Sequence, residues 1–136
     1  MTKKITMILG VVFVLIGVLG FVNNPVIGLF AVDTVHNLVH IILGIILIMG
    51  AKGANPAKSL KIVGVIYAVV AVLGFLMMGG EETTKLLGLV TVNGADNWLH
   101  LVLAIVLLAV GFKGDSAAMP MASTTPSQST GGMGQM

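Results

Sequence analysis

Four long apolar runs, almost free of charge, constrain this chain more than any other feature of its sequence. They extend from Ile5 to Val22, from about Thr34 to Ala51, from Ile62 to Gly80, and from about Ala95 to Phe112. A helix that crosses a hydrocarbon core of about 30 Å needs about 20 mostly apolar residues, and each run approaches that length. Composition points the same way. Seven Lys and five Asp or Glu are the only formal charges among 136 residues, whereas an ordinary soluble domain of this size would carry about 34. Hydrophobic residues make up 57% of the chain. A surface this poor in charge cannot face water throughout, so the outward-pointing side chains require lipid. The expected fold is all-α: an integral membrane four-helix bundle.

Several functional classes are excluded or made remote. The seven basic residues are all Lys and are scattered, which does not make a phosphate-binding stripe, so no nucleic-acid partner is expected. Cysteine is absent, which removes disulfides, thiolate metal sites and Cys nucleophiles. No Ser-His-Asp set, phosphate-binding loop or intramembrane carboxylate pair is present, and an enzyme is not expected. Lys3 and Lys4 ahead of an apolar run resemble the start of a signal peptide, but Asn23, Asn24 and Pro25 follow in place of a small-x-small cleavage site, so the segment is read as retained. From Asp115 the composition turns to Ser, Thr, Pro, Gly, Gln and Met. The reading is therefore a transmembrane domain over residues 1–114 and a disordered tail over 115–136. The tail methionines, Met119, Met121, Met133 and Met136, are read as incidental to Cu(I) chemistry.

The lysines orient the spans. With four crossings, Lys3, Lys4, Lys52, Lys58, Lys61 and Lys113 fall on one side and Lys85 alone on the other, while Asp33, Glu81, Glu82 and Asp96 accompany Lys85. Because short cytoplasmic segments retain Lys and Arg, both termini are expected in the cytoplasm and the chain in the cell membrane.

Self-comparison suggests an internal repeat. Leu9 to Phe21 matches Val63 to Phe75 at 6 of 13 positions, and Gly28 to Ile48 matches Gly88 to Leu108 at 8 of 21. The informative matches are Gly28 with Gly88, Asn37 with Asn97 and His40 with His100. The repeating unit is a two-helix hairpin used twice in tandem, which predicts a pseudo-two-fold axis along the membrane normal. Small residues at Gly10 and Gly17, and at Gly64 and Ala71, lie on one face of their helices, where they allow close backbone approach.

The same comparison isolates a polar stripe. Asp33, Asn37, His40 and Gly44 are spaced 4, 3 and 4, and Asn93, Asn97, His100 and Ala104 repeat that spacing. Asp33 and Asn93 suit helix N-caps. Polar groups within a span must find partners, so the expected role of Asp33, His36, Asn37, His40, Asp96, Asn97 and His100 is an outward-facing polar cluster joining the two hairpins. Asp96 replaces the counterpart of His36 and could pair with it, with Asn37 and Asn97 completing a ring of donors and acceptors. The resulting expectation is a structural or interaction module without a cofactor, embedded in lipid, whose homo-oligomeric state and protein partners the sequence leaves open. The alternative is ligation of haem or a metal ion by His40 and His100, with His36 one helical turn away.

These stretches also resemble a known family. Gly20-Phe21, Leu29-Phe30 and His36-Asn37-Leu38-Val39-His40 with Gly44 resemble its first hairpin, and Ala95-Asp96-Asn97-Trp98-Leu99-His100 its second. The family, Domain of Unknown Function 4383, comprises small bacterial four-span membrane proteins, and the similarity extends from about Ile5 to Lys113. It implies a bacterial integral membrane protein and supplies no activity. Ala104, where a Gly would mirror Gly44, is a mild departure.

Overall fold

A computed structural model describes residues 1–118, with side chains to Gly114; the tail expected to be disordered lies beyond the described residues apart from its first four positions. Four helices form: α1 (Thr2–Val22), α2 (Thr34–Lys52), α3 (Pro56–Met78) and α4 (Gly94–Ala118). All four are long and apolar enough to cross a bilayer. A helix satisfies its own backbone groups, which lipid cannot do, so runs of this composition adopt it. Polar caps set where the helices begin. Asp33 accepts the N–H of His36 at 2.8 Å at the start of α2, and Asn55 accepts that of Lys58 at 2.9 Å ahead of Pro56 in α3. Asn93 and Asp96 exchange bonds at the start of α4, each side chain accepting the other's N–H at 2.9 Å, a reciprocal capping box.

The helices pack antiparallel in two tight hairpins, α1 with α2 and α3 with α4, and the hairpins meet mainly through α2 and α3. Glycine permits the closest approach. A Cβ on Gly10 would lie 2.8 Å from the Gly44 carbonyl oxygen, and one on Gly44 would lie 2.7 Å from that of Gly10. In the second hairpin Gly64 faces Leu107 and Leu108 of α4 instead. Without a hydrophobic force between helices in lipid, this interdigitation and its dispersion attraction supply most of the association. Phe13, Leu43, Leu47, Leu60, Val63, Tyr67, Ala104 and Leu107 form the buried core, while the outer faces carry exposed aliphatics such as Ile8, Leu15, Val69 and Ile105. This inversion of a soluble surface is what lipid solvation requires.

The connections at the end opposite the six clustered lysines are more ordered than bare loops. Sequence periodicity treats residues 81–93 as a loop, yet they fold into a hairpin of β1 (Thr83–Leu86) and β2 (Val90–Asn93), antiparallel, with Leu86 opposite Val90. Strands of four residues are too short for alternation to be read. The α1–α2 connection makes a single bridge, Val26 opposite Phe30. Both turns place two consecutive residues at positive φ: Ile27 at 54° and Gly28 at 73°, Leu87 at 51° and Gly88 at 72°. Glycine accepts this region freely, but an L side chain there is strained, most of all a β-branched one.

Candidate functional site: a buried histidine cluster under two turns

His36 and His40 lie one turn apart on the buried face of α2, and His100 faces them from α4. All three are at most 4% exposed, and one ligating nitrogen from each lies within 4.8 Å of the others. The connecting hydrogen bonds have a forced direction when the rings are neutral. The His36 Nδ1–H donates to the Thr91 carbonyl at 2.7 Å, because a carbonyl oxygen can only accept. His36 Nε2 is then an acceptor, and it receives the Nε2–H of His40 at 3.1 Å. That leaves His40 Nδ1 to accept the Tyr67 hydroxyl at 3.3 Å. The chain therefore runs from Tyr67 through both imidazoles to the β2 backbone. Outside this chain, His100 Nδ1 is buried with no hydrogen-bond partner among the described residues.

Asp33 holds the β2 end of the chain in place. One carboxylate oxygen caps α2, and the other accepts both the Thr91 N–H at 2.8 Å and the Thr91 hydroxyl at 2.6 Å. Partial burial acts to raise the Asp33 carboxyl, but the bonds from the Thr91 hydroxyl and from the His36 and Thr91 N–H groups outweigh it, so it ionises below the usual carboxylate range. A cap of the first hairpin thus fastens the strand that orients His36. In the reverse direction, the Asn93 side chain donates to the Leu29 carbonyl at 2.7 Å.

The structure separates residues that the sequence pattern groups together. Asn37 and Asn97 do not close a ring around the histidines. The Asn37 side chain fills the space over Gly20, and Asn97 fills that over Gly74 while donating to Met78 Sδ at 3.1 Å. They belong to the seams within each hairpin, because their helix face is turned toward the preceding helix. Asp96, in contrast, stays near His36: it is 2% exposed, borders the smaller cavity together with His36 and lies within electrostatic reach of it, although it accepts the Asn93 N–H and the His36 Nδ1–H goes to Thr91. Conversely, Tyr67 and Thr91 join the site although the stripe did not include them. The available signal for Tyr67 was that it is the only Tyr, in mid-span at the position matching Phe13 in the repeat, although that does not show which residue it meets. Thr91 carried no signal, since it meets His36 through a backbone carbonyl and its hydroxyl bond to Asp33 spans 58 residues of chain.

Two cavities flank the cluster. The larger, about 180 Å³, lies between α2, α3 and the β1–β2 hairpin; the smaller, about 40 Å³, lies beneath the Val26–Phe30 turn. His36, His40 and His100 border both.

Fold and site together define a multi-pass helical membrane protein with a buried three-histidine cluster near one end of its bundle. The family described as Domain of unknown function (DUF4383) matches residues 3–113, and the chain belongs to it. No curated protein and no solved structure is significantly similar to the chain.

Proposed function

We propose that this protein is a membrane-embedded metal-binding module in which His36, His40 and His100 hold a divalent transition-metal ion, zinc foremost. The convergence of three buried imidazoles carries this reading. Two nitrogens bound to one tetrahedral zinc at about 2.0–2.1 Å lie roughly 3.3 Å apart, close to the 3.1 Å between the Nε2 atoms of His36 and His40. The His36 Nδ1–H bonded to a backbone carbonyl is the usual support that fixes a ligating ring. An ion would also give His100, whose Nδ1 has no hydrogen-bond partner among the described residues, a polar interaction within the cluster. Haem fits less well, because a cavity of about 180 Å³ is small beside the roughly 300–1,000 Å³ of sites for ligands of drug size. The role is binding, without catalysis. The lysine distribution supports cytoplasmic termini and a cell-membrane location, with the site toward the outer face. The matching positions of the two hairpins support a tandem repeat, and the family resemblance supports a bacterial source.

Detergent-purified, chelator-stripped protein should bind one equivalent of Co²⁺ with a tetrahedral visible spectrum, displaced by Zn²⁺ and lost in both His40→Ala and His100→Ala. Absence of stoichiometric binding by folded wild-type protein would reject the proposal. A second reading has its own support in the continuous Tyr67–His40–His36–Thr91 hydrogen bonds: a purely structural cluster joining the hairpins. It predicts that His40→Ala lowers stability equally with and without metal.

A further inference from the structure

We propose that the larger cavity binds a small uncharged lipophile bearing a carbonyl group, taken up from the bilayer and held by the Tyr67 hydroxyl. This inference does not require the metal reading and concerns a different ligand, although the same three histidines border the cavity.

The walls select the class of occupant. Leu43, Val70, Leu73, Leu86 and Val90 contribute only hydrocarbon, and the polar side chains at the cavity are the three histidines and Tyr67. Among the described residues, no Lys, Asp or Glu borders it. A charged ligand would lose its hydration without compensation, whereas a neutral one loses little. An apolar cavity of this size holds water poorly, so hydrocarbon filling it gains dispersion contacts that water does not replace. The volume of about 180 Å³ suits one or two fused rings, below the drug-sized range. Entry from lipid follows from the rim, where Ile66 is 37%, Leu87 71% and Leu89 61% exposed.

The polar edge selects the functional group. Tyr67 is 3% exposed, and its hydroxyl reaches His40 Nδ1 only at 3.3 Å, longer than a well-formed O–H hydrogen bond. At that length the proton can be shared in a three-centre bond, so a carbonyl placed in the cavity joins His40 Nδ1 as a second acceptor and does not displace it. Phe13, at the matching position of α1, has no such donor, and the cavity beneath the first turn is only about 40 Å³. The cavity and its donor therefore occur together on one side of the cluster.

The test uses metal-free protein in detergent and calorimetric titration with 2-methyl-1,4-naphthoquinone, with naphthalene as the carbonyl-free control. The chain lacks Cys, so thiol addition to the quinone does not interfere. Saturable 1:1 binding of the quinone is expected, roughly three- to tenfold tighter than naphthalene, the range of one neutral hydrogen bond. Tyr67→Phe should reduce quinone affinity to the naphthalene level. Val70→Trp should abolish binding of both while Co²⁺ binding persists, and Leu73→Phe gives a milder filling of the same space should the Trp variant misfold. Absence of saturable binding, equal affinity for the two probes, or quinone affinity unchanged by filling the cavity would each overturn the proposal. Co²⁺ titration of the same samples separates its failure from failure of the metal reading.

Discussion

The two hairpins use one frame with different chemistry. Each seats an Asn of its second helix over a Gly of its first, Asn37 on Gly20 and Asn97 on Gly74. Each ends in a turn with two residues at positive φ, and each contributes a buried His at the same helical position, His40 and His100. They diverge where Phe13 faces Tyr67, where His36 corresponds to Asp96, and where Asp33 caps one helix and Asn93 the other. Every one of these differences lies at or beside the histidine cluster. The Asn-over-Gly contacts match between the hairpins, whereas the close Gly10–Gly44 contact has no counterpart at Gly64.

The largest effect expected from testing that comparison lies in the helix seams. Gly44→Ala must push a methyl against the Gly10 carbonyl and the Val14 backbone, both under 3.0 Å away, and backbone cannot yield as a side-chain tip can. A loss of about 2–3 kcal/mol is expected for overpacking of this kind. The corresponding change in the second hairpin, Ala104→Gly, should cost only about 1 kcal/mol, from helix propensity and a small void. Equal losses, measured by reversible unfolding in mixed micelles, would show that the hairpins pack alike.

Next comes the aromatic pair. Tyr67→Phe leaves His40 Nδ1 buried without its donor and should cost about 1–2 kcal/mol. Phe13→Tyr adds a hydroxyl at the matching place, beside the same His40 ring at a centroid distance of 5.7 Å. The double exchange should fail to restore stability, because His40 Nδ1 is addressed from α3. Full restoration would mean that the two positions are interchangeable.

A smaller effect, opposite in sign, is expected at the turns. Ile27 and Leu87 are 72% and 71% exposed, and both sit at positive φ. Replacement by Gly should stabilise by about 1 kcal/mol, more at Ile27 than at Leu87, since branching at Cβ worsens the left-handed region. Thermal unfolding of both variants checks the order.

The smallest effect distinguishes the caps by pH. The Asp33 carboxyl ionises below its unfolded value of 3.8, so its contribution to stability is complete well above pH 3.8 and is lost as pH falls through the lower folded value. Asp33→Asn should flatten this acid limb while retaining a capping oxygen. Asn93, being non-titrating, should contribute no such limb, and Asn93→Ala should weaken α4 equally across that range. An acid limb unchanged in Asp33→Asn would assign it to another group.

The sequence alone determined the class, the spans and the segregation of lysine, because a helix that must meet lipid needs an unbroken apolar run and a place outside it for each charge. Caps at Asp33 and Asn93 were equally legible, since capping depends on neighbours three residues away. Only the tertiary structure decided how the polar stripe divides. Asn37 and Asn97 share its spacing with the histidines, yet face the seam within each hairpin, and helical periodicity cannot say which neighbour lies against which side of a face. Tyr67 and Thr91 reached the cluster across 27 and 55 residues of chain, and no local pattern encodes such contacts. The larger cavity depends on how the β1–β2 hairpin lies over α2 and α3. Its volume comes from the mismatch of packed surfaces, a property that arises only when the elements meet.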